Sequence, residues 1–168
     1  MRLLYLNCSK TNQLEAQNME RNLMARFNYF DIMSKAQKGY VRLLEPLCRK
    51  WDLTRNELDV LLFLANNPDY DRAVDIVNNR GLSKSHVSLS INSLESKGLL
   101  CREEDPSDRR TVHLHLEPSA KPITEAGQMA QKRFFSYLHQ GVTQEQIDLM
   151  VDFARKVNEN IRNIEEVI

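Results

Sequence analysis

Residues 81–117 read GLSKSHVSLSINSLESKGLLCREEDPSDRRTVHLHLE, and this stretch decides the fold. Ser83 stands at a helix N-cap position, and Val87, Ile91 and Leu94 follow at steps of four and three, the spacing of one helical face. The spacing predicts a helix to about Lys97, closed by Gly98. Leu99 and Leu100 then open an extended segment. A strand over 99–103, a charged turn over 104–109 and a strand over 111–116 make a hairpin. In its second strand Val112, Leu114 and Leu116 alternate with His113 and His115, so one face is buried and the other exposed. Upstream, Gly81 ends a short helix over about 72–79 with Val74 and Val77 inward; it occupies the position that favours a left-handed residue. Two helices joined by a tight turn and followed by a hairpin form a winged helix-turn-helix.

Working outward, Thr54 and Glu57 have capping-box spacing and open a helix with Leu58, Leu61, Leu62 and Ala65 inward, stopped by Asn66-Asn67-Pro68. Before it, Phe27, Phe30, Met33, Tyr40, Leu44 and Leu47 trace a helical stripe within 19–50, and Pro46 predicts a kink. After the hairpin, Pro118 and Pro122 bracket a linker. A helix carrying Ile123, Ala126, Ala130, Phe134 and Leu138 runs to Gly141. Thr143 and Gln146, a second capping box, open a last helix with Ile147, Met150, Phe153, Val157, Ile161, Ile164 and Ile168 on one stripe. A stripe that continues to the last residue calls for a partner chain to cover it. The expected class is therefore mainly α with a small β-hairpin wing: an N-terminal arm (1–18), a dimerisation helix (19–50), a winged helix-turn-helix lobe (51–118) and C-terminal dimerisation helices (119–168), intertwined as one domain.

Composition agrees with a folded chain. Hydrophobic residues make up 42% and charged residues 27% of 168, ordinary globular values. The formal net charge of zero argues against a non-specific polyanion binder, although the distribution of charge matters more than its sum. No apolar run approaches the ~18 residues of a membrane span. The apolar start, Leu3 to Leu6, is too short for an export signal and lacks a small-residue cleavage site. The 18 residues before Met19 read as a polar arm or an over-long translation start. Three scattered cysteines without a CxxC pair fit a reducing cytoplasm. No glycine-rich phosphate loop, HExxH or GxSxG is present, so neither an enzyme nor a cofactor is expected.

The residues that point to function lie on the 84–97 helix and the hairpin tip. Lys84, Ser85, His86, Ser88, Leu89 and Asn92 fall on or beside the face opposite Val87, Ile91 and Leu94. Short hydroxyl and amide groups let a helix approach DNA and bond to phosphates or base edges, and Leu89 suits a thymine methyl. Asp108, Arg109 and Arg110 sit at the tip, where arginine is drawn to a narrow minor groove or to phosphate. Arg55, Arg72 and Arg80 are further phosphate candidates. Other constellations are weaker. His113 and His115 share a strand face but lack a third ligand, so no metal is expected. Cys8, Cys48 and Cys101 are inert thiols unless their pKa is lowered. Tyr29, Phe30, Tyr40 and Trp51 are core or line an effector pocket.

The stretches Leu53-Thr54, Gly81-Leu82-Ser83-Lys84-Ser85-His86-Val87-Ser88 and Leu94-Glu95-Ser96-Lys97-Gly98-Leu99, with Asp105-Pro106-Ser107-Asp108-Arg109-Arg110, resemble the MarR family of regulators. The family's "Leu-Glu-x-x-Gly-Leu" helix ending and "Asp-x-x-Asp-Arg-Arg" wing both stand intact, and Thr124-Glu125-Ala126-Gly127 is similar to its "Thr-Glu-x-Gly" helix opening. The resemblance covers about residues 20 to 165. It implies a dimer with interlocked terminal helices and one winged helix per subunit. It also implies repression of nearby genes that a small molecule or oxidation relieves. Many members carry arginine where this chain has Leu89, and often again at Ser93. Without the bidentate arginine–guanine contact, readout is expected to rest on Ser85, His86, Ser88 and Leu89, on the wing and on DNA shape.

Two readings follow. One is a cytoplasmic, homodimeric regulator that binds a pseudo-palindromic operator in double-stranded DNA, chiefly as a repressor. The other is a winged-helix protein-interaction module, an antirepressor or adaptor, that does not bind DNA. Neutral charge and Leu89 favour the second; Arg109 and Arg110 favour the first.

Overall fold

A computed structural model describes residues 29–108 and 110–165, with the side chains of Tyr29, Phe30, Ile164 and Glu165 outside that description. The arm over 1–18, Phe27, Cys8, Arg109 and Ile168 likewise lie outside the described residues. The elements in order are α1 (Tyr29–Lys50), α2 (Arg55–Asn66), α3 (Ala73–Arg80), α4 (Lys84–Ser96), β1 (Leu100–Glu104), β2 (Val112–Leu116), α5 (Lys121–Leu138) and α6 (Gln144–Glu165). The chain divides into two compact units, one ending at Gly127 and the other beginning at Gln128.

The local signals for helix starts act as expected. The Thr54 hydroxyl accepts from the Glu57 N–H at 3.2 Å, and the Glu57 carboxylate accepts from the Thr54 N–H, so two orphan donors of α2 are satisfied reciprocally. Ser83 caps α4 by accepting from the His86 N–H at 3.2 Å. Thr143 and Gln146 repeat the reciprocal pattern at α6. Between α3 and α4 the chain turns at Gly81, with φ +66°, where an L side chain would be strained. Helix α1 runs through Pro46 to Lys50 as one continuous helix.

The core of the first unit is built around α2. Leu58, Leu61 and Leu62 are inward as the periodicity predicts, but Val60, Phe63 and Leu64 are buried as well. The reason is packing: α2 meets α1, α4 and β2 at once, so nearly its whole circumference is covered. Val87, Ile91 and Leu94 anchor α4 on this core at 2% exposure or less. Gly127 lets α5 approach α2 closely, because a Cβ there would lie 2.5 Å from a Leu62 methyl.

Helix α3 departs from expectation. Val74 is 48% exposed, while Ile76 is fully buried. Positions 74 and 76 are about 200° apart on a helix, so both cannot face the core. With α3 starting at Ala73, the inward side falls to Ile76 and, in part, Val77. The linker after the hairpin is a 3₁₀ turn over Pro118–Ala120 that passes directly into α5.

The hairpin is a two-stranded antiparallel sheet in the register Leu100↔Leu116, Arg102↔Leu114 and Glu104↔Val112. Leu114 is buried under it and donates its N–H to the Asp71 carbonyl at 2.7 Å, which ties β2 to the segment ahead of α3.

In the second unit, α6 carries Leu149, Met150, Val151, Phe153 and Ile161 at 49–63% exposure. Ile147 and Val157 are half-buried. The apolar stripe read from the sequence is there, and within a single chain much of it faces solvent.

Candidate nucleic-acid interface

Helix α4 joins the core through Val87, Ile91, Leu94 and the small buried Ser90; its other faces remain open. Lys84, Ser85, His86, Ser88, Leu89 and Asn92 are all exposed, with Leu89 at 66%. A large apolar side chain at that exposure contributes little to the fold. It suits contact with another apolar group, and a thymine methyl is one. Ser85 Oγ lies 3.0 Å from Ser83 Oγ at the helix start, where free N–H groups and the dipole favour an anion.

Asn92 is not a free reader. Its Oδ1 accepts from Arg102 of β1, and Arg102 also pairs with Glu95. Arginine has only donors, so this contact does not use the amide nitrogen of Asn92. Arg102, which the sequence reading passed over, therefore laces α4 to the first wing strand. At the far end of α4, Lys97 donates to the Asp52 carbonyl at 2.7 Å and to the Glu57 carboxylate at 3.1 Å. Glu57 is almost fully buried, which opposes ionisation. Hydrogen bonds from Ser93, the Thr54 backbone and Lys97 outweigh that and hold its carboxyl below the ordinary value.

At the wing tip, Arg110 pairs with Asp108 at 3.3 Å while its side chain stays 93% exposed. Such a pair is weak and exchangeable for phosphate. Its neighbour Arg109 lies outside the described residues.

The three other arginines differ. Arg55 is bidentate on Asp59 at 2.9 and 3.0 Å and lies 4.9 Å over the Tyr40 ring, with Nη1 buried and unpartnered among the described residues. Its charge is engaged within the fold. Arg72 pairs with Asp75 at 3.2 Å yet remains half exposed. Arg80, exposed in the last turn of α3, lies 6.0 Å over Phe63.

Of the expected effector-pocket aromatics, Tyr40 lies under Arg55 and Trp51 under Lys50 at 4.3 Å; the Tyr29 and Phe30 side chains are outside the described residues. A cavity of about 420 Å³ opens elsewhere, between α3, α4 and the wing, with Val77, Ile91 and Leu114 on its apolar lining and Lys84 and Arg102 at its edge. Both described cysteines have a raised pKa: burial pushes Cys48 up, and a hydrogen bond with Glu117 does so for Cys101. Both are thiols rather than thiolates at neutral pH, which runs against oxidant sensing.

His113 and His115 have their ring centroids 6.4 Å apart, but each faces carboxylates: His113 faces Asp71 and Asp105, and His115 faces Glu103. Among the described residues no cluster of three metal-ligating side chains occurs, and no helix is long and apolar enough to cross a membrane.

Comparison with known proteins converges on one group. Residues 51–111 match the model of the MarR family. The uncharacterised HTH-type transcriptional regulator YdgJ of Bacillus subtilis (strain 168) is 24% identical over 113 residues, 67% of this chain and 68% of its own length. Two solved structures share the fold. BpsR of Bordetella bronchiseptica, whose DNA binding is regulated by 6-hydroxynicotinic acid, is 21% identical at a TM-score of 0.60, with 79% of this chain and 99% of that one covered. The F27L mutant of MepR from S. aureus, bound to an oligodeoxyribonucleotide, is 20% identical at a TM-score of 0.51, with coverage of 80% and 99%.

Proposed function

We propose, from the match of its residues 51–111 to the MarR family, that this chain is a homodimeric, sequence-specific DNA-binding transcriptional regulator acting as a repressor in the bacterial cytoplasm. The observation that carries this reading is the open face of α4. Ser85, His86, Ser88 and Leu89 are exposed, while Val87, Ser90, Ile91 and Leu94 anchor the helix on the core. In a major groove those side chains meet base edges, with Lys84 at the phosphates beside the helix start. The wing tip, through Arg109 and Arg110, takes the adjoining backbone or minor groove. Arg72 and Arg80 are the remaining phosphate candidates; Arg55 would first have to leave Asp59.

Two copies are needed to read an operator with two-fold symmetry. The exposed apolar residues of α6 are a surface a second copy would bury, and Ile32, Met33 and Val41 of α1, at 42–50% exposure, are a separate one. In the binding state the two recognition helices would lie about one helical turn apart, roughly 34–36 Å. A small molecule that prefers another separation would release DNA, and DNA would weaken its binding by the same factor. The cavity beside Lys84 and Arg102 touches both recognition helix and wing, which suits it to an anionic effector of this kind. The match of residues 51–111 to the MarR family also supports a regulator rather than an enzyme.

The test is a gel shift on fragments of the protein's own upstream region at two salt concentrations with competitor DNA. Retention of one fragment at one dimer per site, weakened by salt, is the expected result. Joint replacement of Arg109 and Arg110 by Ala should lower affinity and flatten the salt dependence. A chain that retains no fragment, or all equally, and ignores that replacement is an interaction module instead.

A further inference from the structure

The second wing strand carries a histidine that the readout of DNA leaves unused. His113 Nδ1 lies 2.8 Å from Asp71 Oδ2, and its Nε2 lies 3.2 Å from Asp105 Oδ2. A carboxylate only accepts, and a neutral imidazole has one N–H and one lone pair. Both contacts are hydrogen bonds only when the ring is an imidazolium.

Each carboxylate belongs to a different part of the lobe. Asp71 stands just ahead of α3, where its carbonyl already accepts from the Leu114 N–H. Asp105 organises the wing turn: it accepts from the Ser107 N–H at 2.7 Å, the Ser107 hydroxyl at 2.6 Å and the Asp108 N–H at 3.1 Å. Those bonds, the Ser107 hydroxyl's first, hold the Asp105 carboxyl far below the usual range, so it is an anion at every working pH. The ring thus joins the wing turn and its second strand to the segment leading into the helix-turn-helix.

The other charged groups around it are few. Glu103 lies opposite on β1 and pairs with His115, whose ring stacks near that of His113. Arg72, next to Asp71, turns to Asp75; Arg110 is paired with Asp108; and Arg102 is drawn to Glu95. Among the described residues, Glu103 across the hairpin and the His115 ring are the other titratable groups placed beside His113.

We infer that His113 is a positioning residue for DNA binding: as a cation held between Asp71 and Asp105 it fixes the wing against the helix-turn-helix, and its deprotonation frees the wing and weakens the complex. The inference rests on the DNA-binding reading above. The hydrogen bonds to Asp71 and then Asp105 raise the His113 pKa above the ordinary imidazole value, so the clamp is complete below that value and is lost as pH rises through the raised one.

The experiment uses the full chain. Long-range ¹H–¹⁵N spectra of the imidazole rings follow His113 without DNA, and fluorescence anisotropy with the retained upstream fragment gives affinity, both over about pH 6 to 9. His113 should carry protons on both nitrogens at neutral pH and titrate above the ordinary range, with the wing-turn amides following it. Affinity should fall about three- to tenfold over the same interval. His113→Gln should bind at the weaker level with no such fall, Asp71→Asn should lower the His113 titration, and His86→Gln should keep the fall. A neutral His113 ring at pH 7, or a His113→Gln variant with the original slope, overturns the inference. If His113 titrates as expected and the wing amides follow, but no fragment binds at any pH, the clamp stands and the DNA-binding reading fails.

Discussion

The two compact units treat their apolar residues in opposite ways. In the first, Leu58, Leu61, Ile76 and Leu94 are fully buried within one chain. Its polar groups are tied across the sequence as well, Lys97 to Asp52 and Glu57, Arg102 to Glu95 and His113 to Asp71. In the second, Leu149, Met150, Val151 and Phe153 lie largely open on α6. Its ion pairs, such as Arg155 with Asp152 and Glu159, are exposed and local to the helix. The contrast teaches that the first unit buries its apolar residues through its own contacts, whereas the second leaves the apolar stripe of α6 largely exposed. A helix isolated from tertiary packing draws only marginal stability from propensity, so in the proposed dimer α6 would gain most of its stability from the second copy.

The sharpest way to break the comparison is to charge the α6 face. Phe153→Asp with Ile161→Asp should abolish the proposed dimer, read as mass by light scattering. It should also lower operator affinity by at least about a hundredfold as two linked half-site contacts become separate. The first unit should keep its own cooperative melt. If the double variant stays dimeric, the exposed stripe is not the interface. Leu94→Ala acts on the opposite side of the contrast. Deleting a fully buried side chain should lower the unfolding free energy by about 2–5 kcal/mol in urea titration, with the oligomer intact at low denaturant. Gly127→Ala probes a close approach within the first unit. The added methyl meets Leu62 and should destabilise by about 1–3 kcal/mol in the same titration; an unchanged midpoint would mean that Leu62 simply rotates away. Smallest is Thr54→Ala, which removes one half of the α2 capping box and should lower stability by about 1 kcal/mol. An equal loss for Thr143→Ala would make the two capping boxes equivalent, whereas the contrast between the units predicts a smaller one in α6.

Legibility in the sequence followed range. The capping boxes at Thr54 and Thr143, the left-handed Gly81 and the anchors Val87, Ile91 and Leu94 were readable because residues a few positions apart determine them. Val74 was misjudged because two valines three apart suggest a face, and only the packed lobe reveals that Ile76 lies on the inward one. The Arg55–Asp59 pair did have a local signal, the spacing of four, and that signal argued against a phosphate role from the start. Asp71, Asp105 and His113 carried none. Their meeting spans 42 residues and depends on how β2 crosses the segment ahead of α3. The same holds for Arg102, whose hold on Asn92 turns an expected reader into a partly engaged side chain.

The open face of α4 has a consequence for how such a protein changes over generations. Ser85, Ser88 and Leu89 project away from the core that Val87, Ile91 and Leu94 fill, so replacing them leaves the folded state nearly untouched. In the proposed DNA complex, recognition would drift at those three positions while the scaffold stays constant. A library randomised there can be sorted for new operators without a compensating search for stability.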